Sequence, residues 1–350
     1  MAGPGRSPLQ RSSRATSGAG PEASTGGSSD RSELVEAVVR DIARAGIEVH
    51  GLEAIGRPRG EMVTHFIADT SSGRLFLKIG RPTSGPRQQL LRKLLGRPSL
   101  ERQVDVLEGL ERSPFPTLRY PRLVRSDRSR YVLVEHIAGA RPASDGEAPE
   151  ALVASLLEFQ TSSAQRAFGG VVSRLLGASL APEAYLVRRA LPRLLRESGW
   201  RSAWRLVRTM HWCRRQQPAL DRQVLIHNDF HHENVLIDAD GVMYLTDFEN
   251  AVSTRRWVLV DIVHYAVGTT SAVIDTELIR AYVAAARLVP EIGDRLALEP
   301  QLRLALLRRI AQHVSSAAVP EHVRTTYRSL LDEVLLDDER FRSWVRENIP

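Results

Sequence analysis

"VLIHNDFHHENVLIDADGVMYLTDFENA", residues 224–251, sets His227, His231, His232, several carboxylates and the amide of Asn234 among runs of Val, Leu and Ile. Two short apolar strands, "VLI" (235–237) and "VMYLT" (242–246), flank the turn signal "DADG". With Asp240-Gly241 as a two-residue hairpin turn, Asn234 faces Asp247 across an antiparallel pair. Opposed residues of this kind hold their Cβ atoms roughly 4.5–5.5 Å apart on one side of the ladder. An amide oxygen and a carboxylate then meet at the open end of a rigid hairpin. Both are hard oxygen donors suited to a divalent cation such as Mg²⁺. Asp229, in the irregular loop entering the first strand, projects toward the same end. Two metal ligands and one further carboxylate are what phosphoryl transfer requires: a metal to neutralise phosphate charge and a base to orient the attacking hydroxyl.

Two rival readings are weaker. A zinc site would draw on His227, His231 and His232, but the spacing is H-x₃-H-H-E and not the helical H-E-x-x-H. Taken singly, Asp229, Asn234 and Asp247 read as loop caps and turn formers. Their joint spacing favours a site.

The rest of the chain is ordinary for a globular protein: 350 residues, 43% hydrophobic and 25% charged. That length suits two domains or one bilobal unit. No apolar run reaches the roughly 20 residues a membrane span needs. The single cysteine, Cys213, excludes an intrachain disulfide framework and fits a reducing cytosol, hence a cytoplasmic location. Net charge is +7, which points to an anionic partner without choosing one.

Residues 1–30 are rich in Gly, Ser, Pro and Ala, a composition that cannot bury enough apolar surface to offset its ordering entropy. They read as a disordered tail without the apolar core of a secretory signal. "RSELVEAVVRDIARAG" follows as an amphipathic helix through Leu34, Val38 and Ile42, closed by Gly46. "EMVTHFIA" and "RLFLKIG" flank "DTSSG" as a hairpin. "SLERQVDVLEGLE" returns to helical period, and "YPRLVRSDRSRYVLVEHIAG" gives two strands around "SDRS". Beyond Gly139 the pattern is mainly helical, so a small strand-rich part precedes a larger helical one.

"HNDFHHENVL" followed by "LTDFENA" resembles the signature pair of the aminoglycoside phosphotransferase/choline kinase family, whose catalytic loop usually reads H-G-D-x-H-x-x-N-x-[LI] and whose metal segment reads [IL]-D-[FW]-[ED]-x-A. The resemblance implies an α+β, bilobal protein-kinase-like fold: an antiparallel-sheet N-lobe over 31–138 that binds nucleotide, and a larger helical C-lobe over 139–350 that supplies the catalytic loop and acceptor-binding helices. It implies ATP and Mg²⁺ as cofactors and a small-molecule hydroxyl as acceptor. Asp229 would be the catalytic Asp. Asn234 and Asp247 would bind Mg²⁺, in agreement with the hairpin geometry. His227, His231 and Asp261 of "LVDIVHYA" would support the catalytic loop. Lys78 in "LFLKIG" would pair with the ATP phosphates.

The helix partner of that lysine departs from the family pattern. Helical phasing sets Gln103 on the Leu100/Leu107 face, where the family usually has Glu, and leaves Glu101 toward its edge. Glu101 is the favoured partner of Lys78. "GRPRGEMV", with Gly56 and Gly60, sits where a phosphate-covering loop belongs, and the backbone of Glu135 to Ile137 would meet adenine. Glu249 replaces the Gly that protein kinases place after the metal Asp, which points to small-molecule kinases.

Residues 185–218 carry nine Arg and one Glu interleaved with Trp200, Trp204 and Trp212. The position before the catalytic loop favours a helix packed by Leu206, Met210 and Trp212, with Arg at the solvent edge. Membrane-surface or nucleic-acid binding by this segment, and a catalytically degenerate nucleotide-binding regulatory module, are the alternatives to an active kinase. Nucleic acid is disfavoured. Acceptor identity is not legible here; the Arg-heavy composition argues mildly against a polycationic aminoglycoside.

Overall fold

A computed structural model describes residues 29–55, 63–80, 100–112, 115–144, 147–162, 164 and 182–349. The tail through residue 28 and the Gly56/Gly60 loop lie outside them.

Helix α1 (Ser29–Arg44) leads into a five-stranded antiparallel sheet of β1 (Val49–Ile55), β2 (Val63–Thr70), β3 (Gly73–Gly80), β4 (Leu123–Asp127) and β5 (Tyr131–Glu135), ordered β1-β2-β3-β5-β4. The β2–β3 hairpin closes with Thr70 opposite Gly73. Gly73 takes a φ of +97°, which a side chain would resist. Period-2 alternation decides what each face meets. Leu75, Leu77 and Ile79 of β3 join Tyr131 and Leu133 of β5 in a small core beneath Val38 and Ile42 of α1. The Tyr131 hydroxyl donates to Asp41 Oδ2 at 2.7 Å, tying α1 to that face. The opposite face carries Lys78, Val132 and Val134, and the two valines belong to the core of the helical part. Lys78 is therefore aimed away from α1 because its neighbours are apolar in alternation.

Helix α2 (Leu100–Glu111) packs on that second face and against residues 248–250. A Cβ on Gly109 would come within 2.6 Å of Ala164 Cα, so only glycine permits this approach. After the short strand β6 (Arg141–Pro142) come α3 (Pro149–Thr161), a helical stretch interrupted by a π-turn at Leu186–Ala190, and α4 (Gly199–Gln216). Then follow β7 (Val224–Ile226), β8 (Val235–Ile237), β9 (Met243–Leu245) and β10 (Val252–Thr254), with α5 (Leu259–Ala266), α6 (Thr276–Ala286), α7 (Leu298–Ser315), α8 (Glu321–Leu330) and α9 (Asp338–Asn348) completing the chain. Helix α7 is buried on nearly every face, from Pro300 to Val314, and is the axis of the helical part.

In α4, Leu206 and Met210 are buried and Trp212 is partly buried against the core. Trp200 and Trp204 stand 68% and 61% exposed on its outer face. Among the described residues no helix is long and apolar enough to cross a membrane. Cys213 is buried, and burial pushes its thiol up to about 12, so it is no nucleophile.

Candidate active site

The hairpin expected around Asp240-Gly241 forms, but in a register shifted by one residue. Leu236 faces Tyr244 and Ile237 faces Met243. The turn is longer than two residues because the Asp238 carboxylate accepts from the backbone N–H groups of Asp240 and Val242, at 2.9 and 2.8 Å. Gly241 sits at φ +80° beyond it. Asn234 consequently meets Thr246, whose N–H donates to its carbonyl at 3.0 Å. The expectation that ladder register alone opposes Asn234 and Asp247 is thus corrected.

What brings the segments together is a second pair. Strand β7 runs antiparallel to β10, with Ile226 opposite Val252, just as β8 runs antiparallel to β9. Residues 227–234 cross from β7 to β8, and residues 246–251 cross from β9 to β10. The two connections must therefore lie side by side. Aromatic packing ties them: the Phe248 ring is 5.3 Å from both Phe159 and His227, centroid to centroid.

Within the first connection, the backbone N–H groups of His227 and Asn228 each donate to the Asp261 carboxylate at 2.8 Å. Asp261 is fully buried, and burial raises its pKa against the pull of His227 and these N–H groups. Gln160 of α3 approaches the same carboxylate at 3.5 Å and takes a hydrogen bond from the Tyr282 hydroxyl. His227 Nε2–H donates to the Thr246 carbonyl at 2.7 Å, clasping the second connection. Asn228 adopts φ +67°, a left-handed conformation that glycine takes freely and Asn tolerates. That accounts for Asn standing where the resembling signature usually has Gly.

Asp229 follows. Its Oδ2 accepts from Asn250 Nδ2 at 3.1 Å, and its Oδ1 lies 3.8 Å from His231 Nε2. Burial lowers the His231 pKa, and Asp229 and Glu233 oppose that shift. Asn234 Nδ2 donates to the Asp229 carbonyl at 2.8 Å, which fixes the amide and turns Oδ1 the other way.

Asp247 takes φ +62°, a conformation a non-glycine residue adopts at some cost and that clusters at functional sites. Its Oδ1 accepts from Lys78 Nζ at 2.5 Å. Burial works against its ionisation, but the charge and hydrogen bond of Lys78 hold its carboxyl below the usual range. Glu249 is pushed up to about 7 by burial and by Asp247, with Lys78 and Arg102 opposing. Arg102 of α2 is buried and drawn down to about 10 by that burial, against the pull of Glu249 and Glu101.

Of the residues expected at the site, Lys78 meets Asp247, while Asn234 and His231 meet Asp229, and Asp261 and His227 hold the connection they stand on. Glu101 lies in the first turn of α2 as an electrostatic neighbour of Arg102 and Asp105, while Gln103 is buried. Glu135 ends β5, where its N–H donates to the Arg122 carbonyl at 2.9 Å, and the Ile137 carbonyl accepts from Ala140 N–H at 3.3 Å. Asn250, Gln160 and Arg102 were missed. Asn250 stands inside "DFENA", and its amide signalled a donor for a nearby carboxylate. A cavity of about 460 Å³ adjoins the first connection at His232 and helix α5 at Tyr265.

The donor types fit Mg²⁺: a carboxylate kept ionised, with an ammonium beside it for phosphate, and an amide oriented by its own nitrogen. No curated protein sequence matches the chain. Among solved structures the fold is shared with the gentamicin–APH(2")-IIa complex (TM-score 0.54, 13% identity, 86% of this chain and 96% of that one). It is also shared with LicA in complex with AMP (TM-score 0.51, 14% identity, 89% and 95%) and with the AMP-bound complex of spectinomycin phosphotransferase (0.51, 13%, 85% and 95%). These likenesses establish the fold: an antiparallel sheet followed by a helical remainder. The model of the phosphotransferase enzyme family, APH, matches residues 57–300, well over half of the sequence. With that match spanning Lys78, both crossing connections and Asp261, the chain belongs to the phosphotransferase enzyme family and is an enzyme of phosphoryl transfer.

Proposed function

We propose that the protein transfers the γ-phosphoryl group of ATP to a hydroxyl of a small molecule. One observation carries this reading: the Asp229 carboxylate is held by Asn250 from the same connection that presents Asp247 to Lys78. A base and a phosphate-handling pair are thus braced on one frame. Two of the similar structures hold AMP and another holds gentamicin, which supports a nucleotide and a small acceptor.

Asn234 Oδ1 and the Asp247 carboxylate would hold Mg²⁺, which when bound neutralises triphosphate charge. Lys78 reaches the site from β3 as a fixed cation for phosphate oxygens. Asp229 accepts or orients the acceptor hydroxyl proton, and Asn250 keeps its second oxygen from rotating. Asp261 and His227 hold the loop so that this geometry is formed before substrate arrives. The backbone of Glu135 to Ile137 is assigned to adenine and Glu101 to the support of Lys78, each on its place in the fold.

Mg²⁺-dependent ATP consumption over a panel of hydroxyl compounds tests the reading. Acceptor-stimulated ADP release that disappears in Asp229→Ala supports it. A wild-type protein that binds ATP yet stays inert with every acceptor, or an Asp229→Ala variant with undiminished turnover, refutes it.

A further inference from the structure

Helix α7 carries two consecutive arginines beneath the catalytic loop, and the phosphotransfer scheme uses neither. Arg308 is buried at 6% exposure; its Nη2 donates to the Asn228 carbonyl at 3.2 Å, while Nε and Nη1 are buried without a hydrogen-bond partner. Arg309 donates from Nη1 to His264 Nε2, and its Nε is likewise buried without one. Among the described residues neither guanidinium is within ion-pair distance of a carboxylate. Arg303, on the same helix, is the contrast: it bonds the Leu335 carbonyl at 2.8 Å and Asp338 Oδ1 at 2.6 Å. A structural arginine here has its anion. Among the described residues Arg308 and Arg309 have no carboxylate in direct contact, only the more distant pull of Asp229 and, for Arg308, of Asp261.

Electrostatics makes the deficit sharper. Burial lowers the pKa of both groups; Asp261 and Asp229 pull Arg308 back, and Asp229 pulls Arg309 back while the charge of Arg308 lowers it further. Burial keeps His264 neutral, so it accepts from Arg309 without adding an anion. His313 is buried nearby, with Nε2 also lacking a partner. A buried guanidinium beside a half-buried one is costly unless anionic groups offset the two charges.

Location shows what that anion belongs to. Asp229 turns Oδ2 to Asn250 on the nucleotide side. Its Oδ1 faces His231, whose ring lies 6.0 Å from His264, the partner of Arg309. The arginines thus lie on the side of Asp229 opposite Asn250, Arg309 through His264 and His231 and Arg308 through the Asn228 carbonyl. Planar guanidinium forks suit carboxylate and phosphate.

We propose that the acceptor carries an anionic group, carboxylate or phosphate, which Arg308 and Arg309 bind while its hydroxyl is presented to Asp229. This rests on the phosphotransfer reading and narrows its substrate class.

The test compares acceptors sharing one skeleton (glycerol, D-glycerate and glycerol 3-phosphate), with ethanolamine as a cationic control, in the full-length wild type, Arg309→Gln and Arg309→Lys. Anionic members are the better substrates, and the two of them separate carboxylate from phosphate. Arg309→Gln raises KM for them by roughly 10- to 100-fold with a smaller change in kcat, and Arg309→Lys restores part of it. Equal losses on glycerol, or a preference for neutral or cationic acceptors, overturn the proposal while leaving phosphotransfer intact. The melting temperature of the ADP-loaded protein provides a readout without turnover. D-Glycerate or glycerol 3-phosphate stabilises wild type but not Arg309→Gln, whereas equal or absent shifts in both proteins overturn the proposal. Anion binding without ATP consumption by any acceptor sinks the phosphotransfer reading instead.

Discussion

Lys78 Nζ and Asp247 Oδ1 lie 2.5 Å apart although 169 residues separate them in the chain. This pair joins the N-terminal sheet to the connection between β9 and β10, and it links the lysine proposed to handle nucleotide to a proposed metal ligand. Lys78→Met should lower kcat/KM for Mg·ATP by roughly 10²–10³-fold, the loss typical of a preorganised charge. It should also destabilise the fold, since Asp247 keeps a half-buried charge without its cation. Lys78→Met with Asp247→Asn should recover melting temperature and not activity. Recovery of both would make the pair purely structural.

Asn250 contacts the carboxylate proposed as base, and its removal should tell orientation from chemistry. Asp229→Ala should reduce kcat by about 10³-fold or more while nucleotide affinity survives. Asn250→Ala should fall between wild type and that variant, about 10-fold down in kcat with KM for ATP little changed. Steady-state kinetics and a nucleotide titration of the three proteins check the order.

The left-handed backbone at Asn228 gives a prediction about stability. Asn228→Ala should be less stable than Asn228→Gly by about 1 kcal/mol, because Ala bears the steric cost of φ +67° and Gly does not. Chemical denaturation of both variants measures the difference. Equal stabilities would contradict the backbone argument.

Acid should unfold the protein partly through His313. Burial drives its pKa from 6.5 down to about 3, with Arg309 adding to the shift. The unfolded chain therefore binds a proton that the folded one refuses. Stability is full above pH 6.5 and falls as pH drops toward 3, at up to about 1.4 kcal/mol per pH unit from this group. His264, also held neutral by burial, acts in the same direction. His313→Gln should flatten the fall between pH 6 and 4 by about one proton's worth. An unchanged slope would show that His313 titrates normally.

Much of this molecule was legible in its sequence because the informative patterns are local. The alternation of Leu75, Leu77 and Ile79 announced β3 and fixed the side from which Lys78 projects. The period through Leu100, Val104, Leu107 and Leu110 announced α2, and all four are buried. The register of the β8–β9 hairpin was misjudged because Asp-Gly suits both a two-residue turn and a longer loop. The choice fell to the Asp238 side chain, which caps the N–H groups of Asp240 and Val242. The pairing of β7 with β10 joins three-residue strands through long-range contacts that leave no periodic trace. Arg308 and Arg309 carry no motif, and their meaning appears only once α7 is seen to pass under Asn228.

The convergence of Asn234 and Asp247 on one metal is the claim on which the rest depends. A crystal structure with Mn²⁺ and a non-hydrolysable ATP analogue tests it through the anomalous signal of the metal. The expected result is a peak about 2.0–2.3 Å from both Asn234 Oδ1 and an Asp247 carboxylate oxygen, with Asp229 beyond the coordination shell. A metal bound to nucleotide but remote from either side chain, or coordinated by His227, His231 or His232, would contradict the account.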